Sequence, residues 1–146
     1  MNIDNNAPLV LRDNAGGLVT LRLNRPLQFN ALSEAMLAAL QAELDIIAGQ
    51  PEVRCVVLAA EGKAFCAGHD LREMQATPKL DYYKALFAQC SRVMRWIQEL
   101  PVPVIARVHG IWAAAGLAPS ALSARPARWP PLWVAEPPTG SARAPS

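Results

Sequence analysis

The chain has no cysteine framework. Its three cysteines, Cys55, Cys66 and Cys90, form an odd and widely spaced set. That excludes a disulfide scaffold and lacks the paired spacing of a metal-ligand cluster. Reduced thiols in a cytoplasmic protein are the expectation, because disulfides are rare in that compartment. An excess of charge is also missing. The formal net charge is +2, which argues against a nucleic-acid binder with its basic stripe. No apolar run reaches the roughly 18 residues that span a bilayer. The opening MNIDNNAPLV carries acid and amide residues where a signal peptide has an apolar stretch. What remains is a chain of one-domain length, 146 residues, with 52% hydrophobic residues, enough to build a core. No metal, nucleic-acid or membrane partner is expected.

Two apolar periods alternate along the first part. Leu9 and Leu11 lead into the turn cluster Asn14-Ala15-Gly16-Gly17, after which Val19, Leu21 and Leu23 alternate with Thr20 and Arg22. This predicts a β-hairpin. Asn24-Arg25-Pro26 ends it, since proline cannot donate to a ladder. Ser33 is a candidate N-cap for a helix whose Met36, Leu37, Leu40, Leu44 and Ile47 share one face. Gly49 and Pro51 stop that helix. Val53–Leu58 reads as a strand buried on both faces, the kind reached through a crossover helix. Glu61-Gly62-Lys63 opens a loop that contains AFCAGHD. In a helix from about Leu80 to Leu100, Tyr83, Phe87, Cys90, Met94 and Ile97 keep one face apolar. Pro101 stops it, and Val102–Val108 is a second buried strand. The order strand, helix, strand, helix, strand is that of an α/β protein.

The composition breaks near residue 117. From Leu117 to Ser146 there is no Ile, Met, Phe, Lys, Asp, Asn, Gln or Cys, and seven of the 13 prolines fall there. Neither apolar period survives, so residues 117–146 are expected to form an irregular tail behind a domain over residues 1–116.

Three segments carry the chemistry: NRPLQFNAL (Asn24–Leu32), KAFCAGHDLREM (Lys63–Met74) and PVPVIARVHGIWAAAG (Pro101–Gly116). The second is a small-residue loop after a buried strand, where Gly68 can take a positive φ and the His69 amide points above the strand end. The third repeats the arrangement with Gly110 and a small-residue helix start, whose free N–H groups are electropositive. Two such sites facing each other make an oxyanion hole, with donors fixed where negative charge develops.

These three segments, in this order, resemble the enoyl-CoA hydratase/isomerase (crotonase) family from Leu18 to Gly116. The GHDL wording is most similar to the subgroup of enoyl-CoA hydratase domain-containing proteins. The resemblance implies a crotonase-type ββα superhelical fold, here incomplete. It also implies an acyl-CoA thioester as substrate, with coenzyme A part of that substrate and no separate cofactor. His69 and Ala115 match the two residues whose backbone N–H groups hold the thioester oxygen. Ala67, Gly68 and the stretch His69, Asp70, Leu71 and Arg72 match the loop along the substrate. Leu27 and Phe29 match a region that touches the coenzyme. Arg25 or Arg72 can then serve as a charge partner for its phosphates. Relatives of full length in this family form homotrimers or hexamers.

Other candidates have bland roles. The His69 side chain has no orienting partner of the kind a general base needs. Asp70 is expected to cap a short helix. His109 shows no identifiable partner and is expected to be structural, and Cys66 is a packing residue.

The match fails where acid/base groups are needed. The family has two glutamates, at positions held here by Ala118 and, by spacing, Pro138. Leu117 stands where a cysteine is common. The abrupt change at Leu117 suggests a frame-shifted or truncated family member of weak or no activity. The alternative is a non-catalytic thioester-binding or oligomer-partner protein. A serine peptidase on the same fold is excluded by the lack of a serine at the AAG turn.

Overall fold

Val19, Leu21 and Leu23 are buried, and the residues between them lie nearer the surface, as the strand period requires. In the computed structural model, which describes residues 7–112 and Val134–Ala135, this strand is β2 (Leu18–Leu23). It pairs antiparallel with β1 (Val10–Ala15). The turn is tighter than the sequence suggests. Asn14 and Ala15 stay in the ladder opposite Val19 and Leu18, and only Gly16-Gly17 turns.

Helix α1 (Glu34–Ala48) starts where Ser33 Oγ accepts the Met36 N–H at 3.1 Å. Its buried residues are the five selected by spacing: Met36, Leu37, Leu40, Leu44 and Ile47. The helix is a crossover to β3 (Cys55–Ala60), which lies parallel to β2 with Leu18 opposite Cys55 and Leu23 opposite Ala60. The strand begins at Cys55 rather than Val53, because Val53 is still in a turn closed by its N–H on the Gln50 carbonyl. Burial on both faces holds only at its end. Leu58, Ala59 and Ala60 are buried, while Cys55 and Val57 are half-covered.

The AFCAGHD segment is only partly a loop. Ala64–Cys66 form a buried strand, β4, too short to display a period. Two helices follow, α2 (Leu71–Ala76) and α3 (Leu80–Glu99). The inward face of α3 shares Cys90, Met94 and Ile97 with the expected apolar face. Leu86, Cys90, Val93, Met94 and Ile97 are buried. Tyr83 is half-buried with its hydroxyl on the Met74 carbonyl at 3.1 Å, and Phe87 is 46% exposed. Steps of four, three and four residues from Leu86 to Ile97 follow the helical period; Tyr83, three residues before Leu86, lies on the same stripe in the first turns of the helix, while Phe87 lies at its edge.

Strand β5 (Val104–Val108) runs parallel to β3. It starts after Pro103, which contributes only its carbonyl, to the Val56 N–H at 2.9 Å. The short strand β6 (Ile111–Trp112) pairs parallel with β4, and β7 (Val134–Ala135) pairs parallel with β5. The large sheet has the order β1-β2-β3-β5-β7 and the small one β4-β6. Each of β3 and β5 is thus followed by a strand that leaves the large sheet for the small one, and after β4 the helices α2 and α3 complete a ββα unit. Val56, Leu58 and Ala106 of the sheet join Met36 and Leu40 of α1 and Val93 of α3 in one core.

Apart from Val134–Ala135, the division near residue 117 and the irregular tail lie outside the described residues. Among the described residues no helix is long and apolar enough to cross a membrane, and no group of three or more His, Cys, Asp or Glu converges on a metal position. Cys55, Cys66 and Cys90 are free.

Candidate active site

The segment after β2 makes a single 3-10 turn, Pro26–Gln28, with proline at its first turn as an N-terminal position allows. Phe29 and Asn30 follow with φ of 51° and 53°. Two consecutive side-chain-bearing residues in the left-handed region store strain that the surroundings must hold. Asn30 supplies the hold. It is fully buried; its Oδ1 accepts the Arg25 N–H, and its Nδ2 donates to the Glu61 and Ala64 carbonyls, all at 2.8 Å. Sequence reasoning did not single out Asn30. Its one signal was residue type, since asparagine tolerates a positive φ better than most.

The loop after β4 is bent by Gly68, at φ 93°. The Ala67 N–H donates to the Phe29 carbonyl at 3.0 Å. Leu32 donates to the Gly68 carbonyl at 2.8 Å and accepts from the Asp70 N–H at 3.2 Å. These two bonds make a parallel bridge between Leu32 and His69. In such a bridge the flanking residues form both bonds, so the His69 N–H itself points away from Leu32. Among the described residues no backbone carbonyl accepts it.

The His69 ring meets Phe87 of α3 edge to face, with centroids 5.0 Å apart and planes at 87°. Burial pushes its pKa down, so the ring is neutral near pH 7. Its Nδ1 is buried without a partner among the described residues, so no group orients the imidazole as a base. Cys66 is fully buried, and burial pushes its thiol up.

Asp70 caps α2, accepting the Arg72 and Glu73 N–H groups at 3.1 and 3.3 Å. It also binds Arg25 at 2.8 Å. Burial alone would raise the Asp70 carboxyl. The bond from Arg25, the two amides and the Arg25 charge outweigh that and bring it below the usual carboxylate range. Arg25 is therefore engaged, and Arg72 is exposed with no ion pair among the described residues. Arg25, Gln28, Ser33, Asp70, Arg72 and Glu73 contribute to a cleft of about 510 Å³. Leu27, Phe29, Ala67 and Leu71 are exposed near it but do not line it, and neither does His69.

The third segment reaches the same turn from the other side. His109 has a partner after all: its Nε2 lies 2.7 Å from the Gly62 carbonyl and donates to it. Gly110 has φ 59°, and a Cβ there would sit 2.0 Å from the Lys63 carbonyl oxygen, a contact only glycine avoids. In the small sheet Cys66 stands opposite Trp112. Ala115 follows Trp112 by three residues, as His69 follows Cys66. Ala115, Leu117, Ala118 and Pro138 lie outside the described residues.

A largely parallel sheet, with a second small sheet of parallel strands entered from the first, is a crotonase-type α/β fold. The chain belongs to the enoyl-CoA hydratase/isomerase family, whose model matches residues 18–124 and so extends past Gly116, where the motif resemblance ended. It is 40% identical over 109 residues to the mitochondrial enoyl-CoA hydratase domain-containing protein 3 of Xenopus laevis, covering 75% of this chain and 37% of that protein. The human protein of the same name is 42% identical over 100 residues, covering 68% and 33%. The chain thus spans about a third of the length of these relatives. The crystal structure of enoyl-CoA hydratase from Mycobacterium smegmatis superposes with a TM-score of 0.74 at 63% identity, covering 75% of this chain and 43% of that one.

Proposed function

We propose that the chain binds acyl-CoA thioesters and polarises the thioester carbonyl through the backbone N–H groups of His69 and Ala115, stabilising the enolate. The observation that carries this reading is the His69 amide. It sits at a bend made by Gly68, has both neighbours bonded to Leu32, and points away from that bridge without a backbone acceptor among the described residues. A donor held in advance where charge develops needs no reorganisation during reaction. The parallel register of Cys66 with Trp112 supports Ala115 as the second donor, because it leads both loops off the same end of one ladder. Leu27, Phe29, Ala67, Gly68, Asp70, Leu71 and Arg72 are the proposed substrate contacts. Of the two candidate cations, Arg72 has no ion pair among the described residues and Arg25 is held by Asp70, so Arg72 is the proposed phosphate partner. Coenzyme A enters as part of the substrate.

Turnover is a separate matter. With Ala118 and Pro138 at the expected glutamate positions, the two carboxylates that would deliver and remove a proton across the double bond are replaced. General acid–base catalysis contributes about 10²–10⁴-fold, and we propose that the chain hydrates enoyl-CoA weakly or not at all. These same two positions favour the second reading, a non-catalytic thioester-binding or oligomer-partner protein. Full-length relatives are proposed to act in fatty-acid metabolism as homotrimers or hexamers. A cytoplasmic location is proposed for this chain, although the frog and human relatives are named mitochondrial; fractionation of the producing cells tests it. The composition break at Leu117 is proposed to be a frame change, and the nucleotide sequence after the Gly116 codon tests that.

Calorimetric titration with butyryl-CoA, run beside crotonyl-CoA hydration kinetics on the 146-residue chain, tests the main proposal. Saturable binding with little hydration is expected. Absence of binding overturns the thioester reading, and robust turnover overturns the account of the missing glutamates.

A further inference from the structure

We propose that Asn30 is a positioning residue for the His69 amide, fixing the start of the short strand that leads to it. The inference rests on the thioester reading above and adds to it a residue that touches no substrate.

The argument starts from what one buried amide group holds. Asn30 Nδ2 donates to the Glu61 carbonyl, at the entrance of the turn into β4, and to the carbonyl of Ala64, the first residue of β4. Its Oδ1 accepts the Arg25 N–H, closing the turn on which Asn30 itself sits. The side chain therefore pins the start of β4. The backbone of the same turn pins its other end: the left-handed Phe29 aims its carbonyl at the Ala67 N–H, and two residues past Asn30, Leu32 forms the bridge to His69.

Strand β4 has three residues. His69 follows its end by three residues, and the bonds of Ala67, Gly68 and Asp70 to Phe29 and Leu32 tie that stretch to the turn that Asn30 holds. The turn is also held from the third segment, by His109 on the Gly62 carbonyl. All three motif segments thus meet at residues 61–64, and Asn30 is the buried side chain that joins two of them. An oxyanion donor must stay within roughly 0.5 Å of its working place to be effective.

Asn30→Asp isolates the two donated bonds. It keeps the shape, the tolerance of positive φ and the acceptor for Arg25, but turns an oxygen towards two carbonyls. Asn30→Gly removes the side chain and retains the freedom to adopt the left-handed backbone. Ile47→Val, in the core of α1, is the control for a general loss of stability. Two readouts are needed on the 146-residue chain. The first is amide hydrogen exchange at Ala67, Leu32 and Asp70 in the free protein. The second is the infrared thioester stretch of bound butyryl-CoA, which reports carbonyl polarisation separately from affinity.

Both Asn30 variants are expected to speed exchange at these three amides by about tenfold or more, beyond any change in Ile47→Val, as a local opening does. The thioester shift is expected to fall while butyryl-CoA still binds. Unchanged exchange in both variants, or an undiminished thioester shift, overturns the inference. A parent chain that binds butyryl-CoA without shifting its carbonyl overturns the proposed function instead, and the exchange data then decide alone whether Asn30 orders the loop. If Asn30→Asp does not fold, Asn30→Gly carries the same two readouts.

Discussion

Arg25 and Asp70 are joined, guanidinium nitrogen to carboxylate oxygen, at 2.8 Å. The pair links the turn after β2 to the N-cap of α2, two segments 45 residues apart in sequence. Asp70 thereby does two things at once, holding two helix N–H groups and one cation.

Its variants separate these roles. Asp70→Ala loses the cap and the ion pair and is expected to lower stability by about 1–2 kcal/mol. Asp70→Asn retains a capping oxygen and should lose less. The folded-state pKa is lowered, so its contribution is complete above the unfolded value and is lost as pH falls through the folded one. Urea midpoints should therefore fall below about pH 4 in the parent, with a shallower decline in Asp70→Asn.

His69 gives the opposite chemistry with the same sign. Its ring is held neutral by burial, so the unfolded chain binds the extra proton first. Stability is then complete above the unfolded pKa of about 6.5 and declines as pH drops from there towards the folded value. His69→Ala should flatten that decline between pH 7 and 5, measured by urea denaturation. At pH 7 it forfeits the contact with Phe87, about 0.5–1.5 kcal/mol.

Binding discriminates the backbone of the loop from its side chain. Gly68→Val forces a branched residue to φ 93°, where only glycine is at ease, and should weaken butyryl-CoA binding by about tenfold or more. His69→Ala leaves the amide in place and should change the affinity little. Calorimetric titrations that return the reverse pattern would remove the backbone-donor assignment.

Gly110→Ala tests the junction of the two sheets. A methyl group 2.0 Å from the Lys63 carbonyl oxygen cannot be accommodated without moving β4 or β6. A loss above about 2 kcal/mol is expected, read from thermal or urea unfolding. Gly16→Ala meets no atom within 4 Å and bears only the backbone penalty of its positive φ, so it should lose less.

The legible parts were those with a period or a cap. Met36 to Ile47 could be assigned from one helix face, Val19 to Leu23 from alternation, and Ser33 and Asp70 from the preference of their oxygens for free N–H groups. The candidate loop residues were legible through three motifs and their resemblance to a family. Strand β4 was not legible, since Ala64–Cys66 is too short to carry a pattern. On α3 the apolar face was read through Phe87 rather than Leu86 and Val93, because a residue at the edge of an apolar stripe is covered or exposed according to the neighbour packed there.

By itself, the sequence determined the longer helices and strands, the caps at Ser33 and Asp70, and that small residues follow the buried strands. These are local properties, set by side-chain period, capping chemistry and backbone freedom within a few residues. Only the tertiary structure decided that Phe87 closes on His69, that Asp70 takes Arg25 away from other partners, and that Asn30 and His109 grip the same turn from different segments. Those contacts join residues 18 to 47 positions apart. Their partners are chosen by the register of β2, β3 and β5 and by the packing of α3, and no local pattern in the chain encodes that choice.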